Sequence, residues 1–221
     1  MLLEENNHRK WFAIVYLVAF FLLEIMVITN NFIVTGFDQT AQHIFSSMVT
    51  PFNTKLFTII TFLGSPAMDV IYLVIMALLF YRIGRKDSSF WIAFILIGGN
   101  IISYLIKITV KRSRPTGKII PASGYSFPSG HVFGTMLVIL TLIFLVLPTL
   151  KSLSTQHIIT AVLIIWLVIV AISRVYLRGH YLSDVAGSML LAGAWWECSE
   201  MLYLKYYDTI GNFLKLNNTN Q

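Results

Sequence analysis

The feature that most constrains this chain is a succession of apolar stretches, each close to the length that crosses a bilayer. A spanning helix needs about 20 mostly apolar residues to traverse roughly 30 Å of hydrocarbon. Six stretches approach that length: 11–29, 66–81, 90–107, 131–147, 158–174 and 184–203. Inside hydrocarbon a backbone must satisfy its own N–H and C=O groups, so runs of this kind read as helices. The expected fold is therefore all-α, an integral membrane bundle of six transmembrane helices forming one domain over residues 1–221. Composition agrees. Hydrophobic residues make up 57% of the chain and charged residues 12%, where a soluble domain carries about a quarter charged. The apolar content excludes a disordered chain, and the single cysteine, Cys198, excludes a disulfide scaffold. The net charge of +6 invites a nucleic-acid reading. The basic residues are scattered between apolar runs, however, so no nucleic-acid partner is expected.

Local chemistry supports these limits. Ser65-Pro66 is a helix cap followed by proline at the first helical position. Pro128 precedes the fourth stretch and Pro148 ends it. The first stretch is long and lacks a small-residue cleavage site, so it does not read as a signal peptide. Residues 37–62 are mildly apolar, with Asp38, Gln39, Gln42 and His43 on one side. They predict a short interfacial helix after the first span and then a lead-in to the second. A seventh crossing through 56–63 is too short on its own.

Six spans put both termini on one side, and basic residues favour the cytoplasm. With the N-terminus inside, the inner set is Arg9, Lys10, Arg82, Arg85, Lys86, Lys151, Lys205 and Lys215. The outer set is Lys55, Lys107, Lys111, Arg112, Arg114, Lys118, Arg174 and Arg178. The count is eight against eight. All the outer basics except Lys55 lie between spans three and four or at the end of span five. Such clustering points to a task other than topology, which leaves both termini cytoplasmic and the cluster at the outer face.

Charge at the ends of apolar helices must snorkel, pair or work. Lys107 ends span three and Arg114-Pro115 follows it. Phe127-Pro128-Ser129-Gly130-His131 opens span four. Ser173-Arg174 ends span five, and His180 and Asp184 lead into span six. Alternating chain direction puts all these ends on one face. Lys107, Arg114 and Arg174 supply cations suited to phosphate oxygens. Ser129 and Gly130 mark a helix N-terminus, whose free amides favour an anion. His180 and Asp184 are spaced i, i+4, so imidazole and carboxylate can meet on one helix face. That carboxylate would set the tautomer and leave a nucleophilic nitrogen. His131 is placed to protonate a leaving alkoxide.

These residues resemble the type 2 phosphatidic acid phosphatase (PAP2) family of integral membrane lipid phosphatases. Three motifs carry the resemblance: Lys107 to Arg114-Pro115, Pro128-Ser129-Gly130-His131, and Ser173-Arg174 with His180 and Asp184. They span a motif core of residues 107–184. The resemblance implies a phosphohistidine mechanism. His180 attacks phosphorus, Asp184 supports it, and His131 protonates the leaving oxygen and then activates water. Lys107, Arg114, Arg174 and the amides around Ser129 and Gly130 hold the phosphoryl oxygens. It implies no cofactor and no metal, and the sequence shows no carboxylate cluster suited to Mg²⁺ and no zinc-type spacing. The implied substrate is a lipid phosphate or diphosphate: undecaprenyl diphosphate, phosphatidylglycerol phosphate or phosphatidic acid. The same phosphohistidine could instead serve a lipid phosphotransferase. A third alternative is an anion transporter, but long stretches such as 158–172 carry no charge for a path. No oligomeric state is specified.

The remaining polar residues receive plainer readings. Lys111, Arg112, Lys118 and Arg178 lie outside the motifs and are expected to face headgroups. His43 and His157 read as interfacial, and Asp69 as serving a helix N-terminus. Glu24 lies near the outer end of its span and could reach water. Glu197 and Glu200 have no account beyond a pairing of either with Lys205. Trp195-Trp196 reads as packing or as part of an interfacial aromatic belt, and Gly98-Gly99 as a close helix contact. Tyr125 and Phe127 divide evenly between lining a lipid entrance and packing the loop.

Overall fold

The computed structural model describes residues 9–213, with side chains to residue 206. Its elements are helical throughout that range: α1 (Arg9–Ile28), α2 (Phe32–Ser46), α3 (Pro51–Leu63), α4 (Pro66–Arg82), α5 (Lys86–Val110), α6 (Gly130–Thr141), α7 (Leu153–Tyr176) and α8 (Leu182–Phe213). Among the described residues, five segments are long and apolar enough to cross a membrane: α1, α3 with α4, α5, the run from Gly130 to Thr149, and α7. They match the first five stretches expected from sequence. The sixth corresponds to α8, the longest helix at 32 residues, an unbroken helix whose apolar run is interrupted by Glu197 and Glu200 and which is not among those five. The protein is thus a multi-pass helical membrane protein.

The expected interfacial segment resolves into two helices. Asn31 caps α2, its side chain accepting from the Ile33 N–H at 2.9 Å. Thr50 caps α3 by accepting from Asn53, and Pro51 takes the first helical position. Helices α3 and α4 do not form one straight rod. Ser65 is extended between them (ψ 152°) and caps α4, with Pro66 next. The level of the break explains the division. Thr61 on α3 meets Ser173 at the end of α7, at 2.8 Å. Pro66 lies beside Gly130, the first residue of α6. So α4 enters the bundle at the level where α6 begins, and α3 is the lead-in. Asp69 sits in the first turn of α4, as expected, and also accepts from the Thr135 hydroxyl of α6 at 3.3 Å.

Helix α6 loosens after Thr141 into a π turn (Leu142–Val146) and a 3₁₀ turn (Leu147–Thr149). Pro148 explains this. It has no N–H to give, and its ring displaces the carbonyl four residues earlier.

The core lies between α1, α4, α5, α6 and α8. Trp196 is buried against Trp91 (centroids 4.9 Å) and Phe144 (5.4 Å). Trp195 Nε1 donates to the Ile95 carbonyl at 3.0 Å. Gly98 leaves the room this indole occupies, because a Cβ there would lie within 2.7 Å of Trp195 Cη2. Both the packing reading of the tryptophans and the close contact at Gly98 therefore hold. Gly98→Ala should displace the indole and cost about 1–3 kcal/mol, read as a lower Tm of the detergent-purified protein. An unchanged Tm would show that the α5–α8 contact tolerates the extra methyl.

Two readings need correction. Glu200 pairs with Arg9 across the α1–α8 contact, not with Lys205. Phe127 is fully buried, stacked on Phe20 at 5.8 Å between centroids and packed on Gly187. It fills the core and does not line an entrance. Tyr125 remains partly exposed.

Candidate active site

The polar centre forms where α5 and α7 end and α6 and α8 begin. Chain direction alone brings those four ends together, and local turns then aim the side chains. After α7 the backbone wraps over its own C-terminus. Leu177 N–H donates to the Ser173 carbonyl at 3.0 Å, and the N–H groups of Gly179 and His180 donate to the Arg174 carbonyl at 3.1 and 3.2 Å. This turn carries His180 back over the end of α7. Gly179 is needed there because a Cβ would press on the Arg174 guanidinium, 3.2 Å from Cζ.

His180 is 1% exposed, so its polar contacts define its state. Its Nδ1 lies 2.8 Å from the Ser126 carbonyl oxygen and 3.5 Å from Asp184 Oδ2. A carbonyl can only accept, so Nδ1 carries the proton and Nε2 keeps its lone pair. The nearer tautomer-setting partner is therefore the Ser126 carbonyl. The expectation that Asp184 sets the tautomer is corrected: the Ser126 carbonyl is the nearer partner, and Asp184 Oδ2, 3.5 Å from Nδ1, is shared with another donor. Asp184 Oδ2 accepts from the Tyr181 N–H at 2.9 Å, and Oδ1 accepts from Arg112 Nη1 at 2.6 Å. The other face of the imidazole meets Arg114, whose Nη1 lies 3.2 Å from His180 Nε2.

The loop between α5 and α6 is held by the motif cations. Lys107 Nζ donates to the carbonyls of Tyr125 (3.0 Å) and Pro128 (2.9 Å). Arg114 Nε donates to Ser123 and Gly124 at 3.1 and 3.0 Å, and its Nη1 to Gly179 at 2.7 Å. Arg174 is buried and donates from Nη1 to Thr61 Oγ1 at 3.1 Å. Two buried polar atoms in this centre have no partner, Arg174 Nε and Ser129 Oγ. Ser129 precedes α6 without capping it through its side chain, and the first amides of α6 have no partner within the helix. Unsatisfied donors beside a helix N-terminus are what an oxyanion would fill. The His131 and His180 rings stand 6.4 Å apart between centroids. His180, Asp184, His131, Lys107, Arg114, Ser129, Gly130 and Arg174 are thus gathered at one end of the bundle.

The surroundings set the charge of His180. Burial, with Arg174 and Arg114 nearby, pushes it down to about 4 against the opposing pull of Asp184. It is neutral at physiological pH. Burial also lowers Arg114, with Asp184 opposing. Arg112 is different. Burial would lower it, but Asp184 and Asp38 hold it above the ordinary arginine value.

Sequence reasoning missed two members of this centre. Arg112 does not face headgroups. Its side chain is 13% exposed and clasped between Asp184 and Asp38, with Nη2 donating to Asp38 Oδ2 at 2.6 Å. Its guanidinium also lies 4.1 Å over the Tyr181 ring. Asp38, expected on the wet side of an interfacial helix, is 2% exposed. It accepts from the Ser183 N–H at 2.9 Å and from the Ser183 hydroxyl at 2.7 Å. No spacing rule connects residue 38 to residue 184. The sequence offers no signal that pairs them.

Fold and polar centre together place this protein among membrane-embedded phosphatases. More narrowly, the chain belongs to the PAP2 superfamily, whose profile matches residues 88–203, just over half of it. It is 28% identical over 185 residues to phosphatidylglycerophosphatase B of Bacillus subtilis (strain 168), covering 80% of this chain and 88% of that protein. Its fold is similar to the crystal structure of a transmembrane PAP2-type phosphatidylglycerolphosphate phosphatase from Bacillus subtilis, with a TM-score of 0.72 at 22% identity over 85% of this chain and 96% of that one. It is also similar to Aquifex aeolicus LpxE, with a TM-score of 0.57 at 18% identity over 76% and 95% of the two chains.

Proposed function

We propose that this protein hydrolyses a lipid phosphate or diphosphate at the outer membrane face through a phosphohistidine on His180. The observation that carries the reading is the state of that imidazole: buried, neutral, protonated at Nδ1 toward a carbonyl, with the Nε2 lone pair turned toward Arg114 Nη1 at 3.2 Å, a donor that an incoming phosphoryl oxygen can take over. In the first step Nε2 bonds to phosphorus while the phosphorus–oxygen bond to the lipid breaks. His131, carrying a proton as imidazolium once the bound phosphate dianion offsets the cations around it, gives that proton to the leaving oxygen and becomes neutral. In the second step His131 takes a proton from water, the water oxygen bonds to phosphorus, and the phosphorus–nitrogen bond breaks to release phosphate. Lys107, Arg114, Arg174, Ser129 and the Gly130 amide surround the phosphoryl oxygens and stabilise their charge as it spreads. Asp184 stabilises the imidazole as its charge rises. Among the described residues, no three His, Cys, Asp or Glu side chains converge as metal ligands. A site at the ends of membrane helices lies at headgroup depth, which suits a lipid whose tail stays in the bilayer.

The likeness to phosphatidylglycerophosphatase B favours phosphatidylglycerol phosphate among the three candidate lipids; undecaprenyl diphosphate and phosphatidic acid remain comparison substrates. The topology that fits has both termini cytoplasmic. Purified protein in detergent, with a chelator present, should release phosphate from phosphatidylglycerol phosphate at an undiminished rate. Strict dependence on Mg²⁺ would overturn the mechanism. Adding an acceptor alcohol should not divert the product; a phosphorylated acceptor replacing free phosphate would identify a transferase instead.

A further inference from the structure

Asp38 and Arg112 belong to no motif, and Asp38 lies outside the span matched by the family profile. Yet they make some of the shortest polar contacts in the centre. Arg112 uses one arm for Asp184 and Ser183 (2.6 and 2.7 Å) and the other for Asp38 (2.6 Å). Asp38 in turn takes both polar groups of Ser183. Helix α2, the loop after α5 and the start of α8 are thereby closed into one ring of hydrogen bonds around the carboxylate beside His180.

A purely structural tie would not need this chemistry. Replacing a buried ion cluster with apolar residues is often neutral or stabilising. Nor does the cluster simply bury stray charge. Asp38 and Arg112 both border a cavity of about 740 Å³, lined also by Gln39, Gln42, Lys111, Arg178 and Tyr181. Water can therefore reach the outer side of the pair, while Asp184 on its inner side is fully buried.

We propose that Asp38 and Arg112 are positioning residues for the phosphatase reaction, holding Asp184 in place and sharing out its charge. The proposal rests on His180 being the nucleophile. Arg112 fixes Asp184 Oδ1, which leaves Oδ2 to the Tyr181 N–H and the His180 ring. Asp38 draws the Arg112 charge outward, so Asp184 keeps enough negative charge to support the imidazole when phosphorus bonds to Nε2. Outer partners that orient metal-ligating side chains typically contribute 10- to 100-fold, and an effect of about that size is expected for partners that orient the carboxylate behind a nucleophile.

Charge sharing makes a prediction that misfolding would not reproduce. The charged and titratable groups facing His180 are Asp184 from α8, Arg174 from α7, Arg114 from the loop and His131 from α6. The wild-type kcat/KM should lose activity as pH falls through the range near 4, where His180 takes its proton. Arg112→Gln removes a positive charge behind Asp184. That favours the protonated imidazole and moves the acidic limb to higher pH. Asp38→Asn removes a negative charge behind Arg112. That disfavours the protonated imidazole and moves the limb to lower pH.

The test is the pH profile of phosphate release from phosphatidylglycerol phosphate for wild type, Asp38→Asn, Arg112→Gln and Arg112→Lys in detergent, with His180→Ala alongside. The expected result is a kcat 10- to 100-fold lower in Asp38→Asn and Arg112→Gln, with KM changed less than threefold. The acidic limbs of the two should shift in opposite directions. Arg112→Lys keeps the charge but loses the fork, so its limb should stay in place while kcat falls. Shifts in one direction, or a normal kcat in both single variants, would overturn the positioning role while leaving the nucleophile intact. Undiminished turnover in His180→Ala would overturn the underlying mechanism instead.

Discussion

Replacing His180 with alanine is expected to lower phosphate release by about four orders of magnitude or more. The loss should appear in kcat, because Lys107, Arg114 and Arg174 remain to hold the lipid phosphate. In the proposed mechanism, removing the ring takes away the atom that bonds to phosphorus, and no neighbour can replace it. His131 stands 6.4 Å away between ring centroids and serves as the acid in the same proposal. Substrate binding should survive, so labelled phosphatidylglycerol phosphate should still compete for the variant. Brief incubation of wild type with labelled substrate, quenched in alkali, should leave acid-labile label on the protein, and His180→Ala should show none. Full turnover in the variant would remove the phosphohistidine from the scheme.

Asp184→Asn should have the second largest effect, and it should be double. Asparagine keeps the shape but loses the charge that supports the imidazole as it bonds to phosphorus. In an analogous histidine–aspartate pair that change costs about 10⁴ in kcat. Here the Ser126 carbonyl also holds Nδ1, at 2.8 Å. The tautomer should therefore survive, and the loss should be nearer 10³ than 10⁴. The second effect is on stability. Arg112 would lose one of two carboxylates while 13% exposed, and breaking a buried pair costs about 3–5 kcal/mol. Asp38 remains as a partner, which points to the lower end. A drop in Tm with a thousandfold loss of kcat is the expected pair of results. A stable variant with normal kcat would show that the Ser126 carbonyl alone suffices.

The two effects differ in where they could be read. The expectation for His180 comes from the sequence, because three short motifs mark helix ends and alternating chain direction places those ends together. The stability cost at Asp184 was not legible, because it depends on Arg112 and Asp38. Arg112 looked like any basic residue outside a motif. Asp38 looked like the polar face of an interfacial helix. Only the fold of α2 against the start of α8 reveals that Asp38 is buried and that Arg112 is largely covered by its two carboxylate partners.

The same division holds for the frame. Apolar length set the all-helical membrane bundle, since hydrocarbon leaves the backbone few other ways to satisfy its polar groups. Pro66, Pro128 and Pro148 marked helix limits through the rigid geometry of their own rings. Glu200 could not be placed, because its partner, Arg9, lies 191 positions earlier in the chain. The even choice for Phe127 needed Phe20 and Gly187 to decide it.

What the sequence by itself determined was therefore helix, membrane and the residues able to handle a phosphate. These follow from local composition and from spacings short enough to lie on one helix or at one helix end. Tertiary structure alone decided which oxygen holds the His180 proton, which cations are already spent on carboxylates, and which remain for an anion. Those outcomes depend on distances of about 3 Å between residues far apart in the chain, and no local pattern of residues records them.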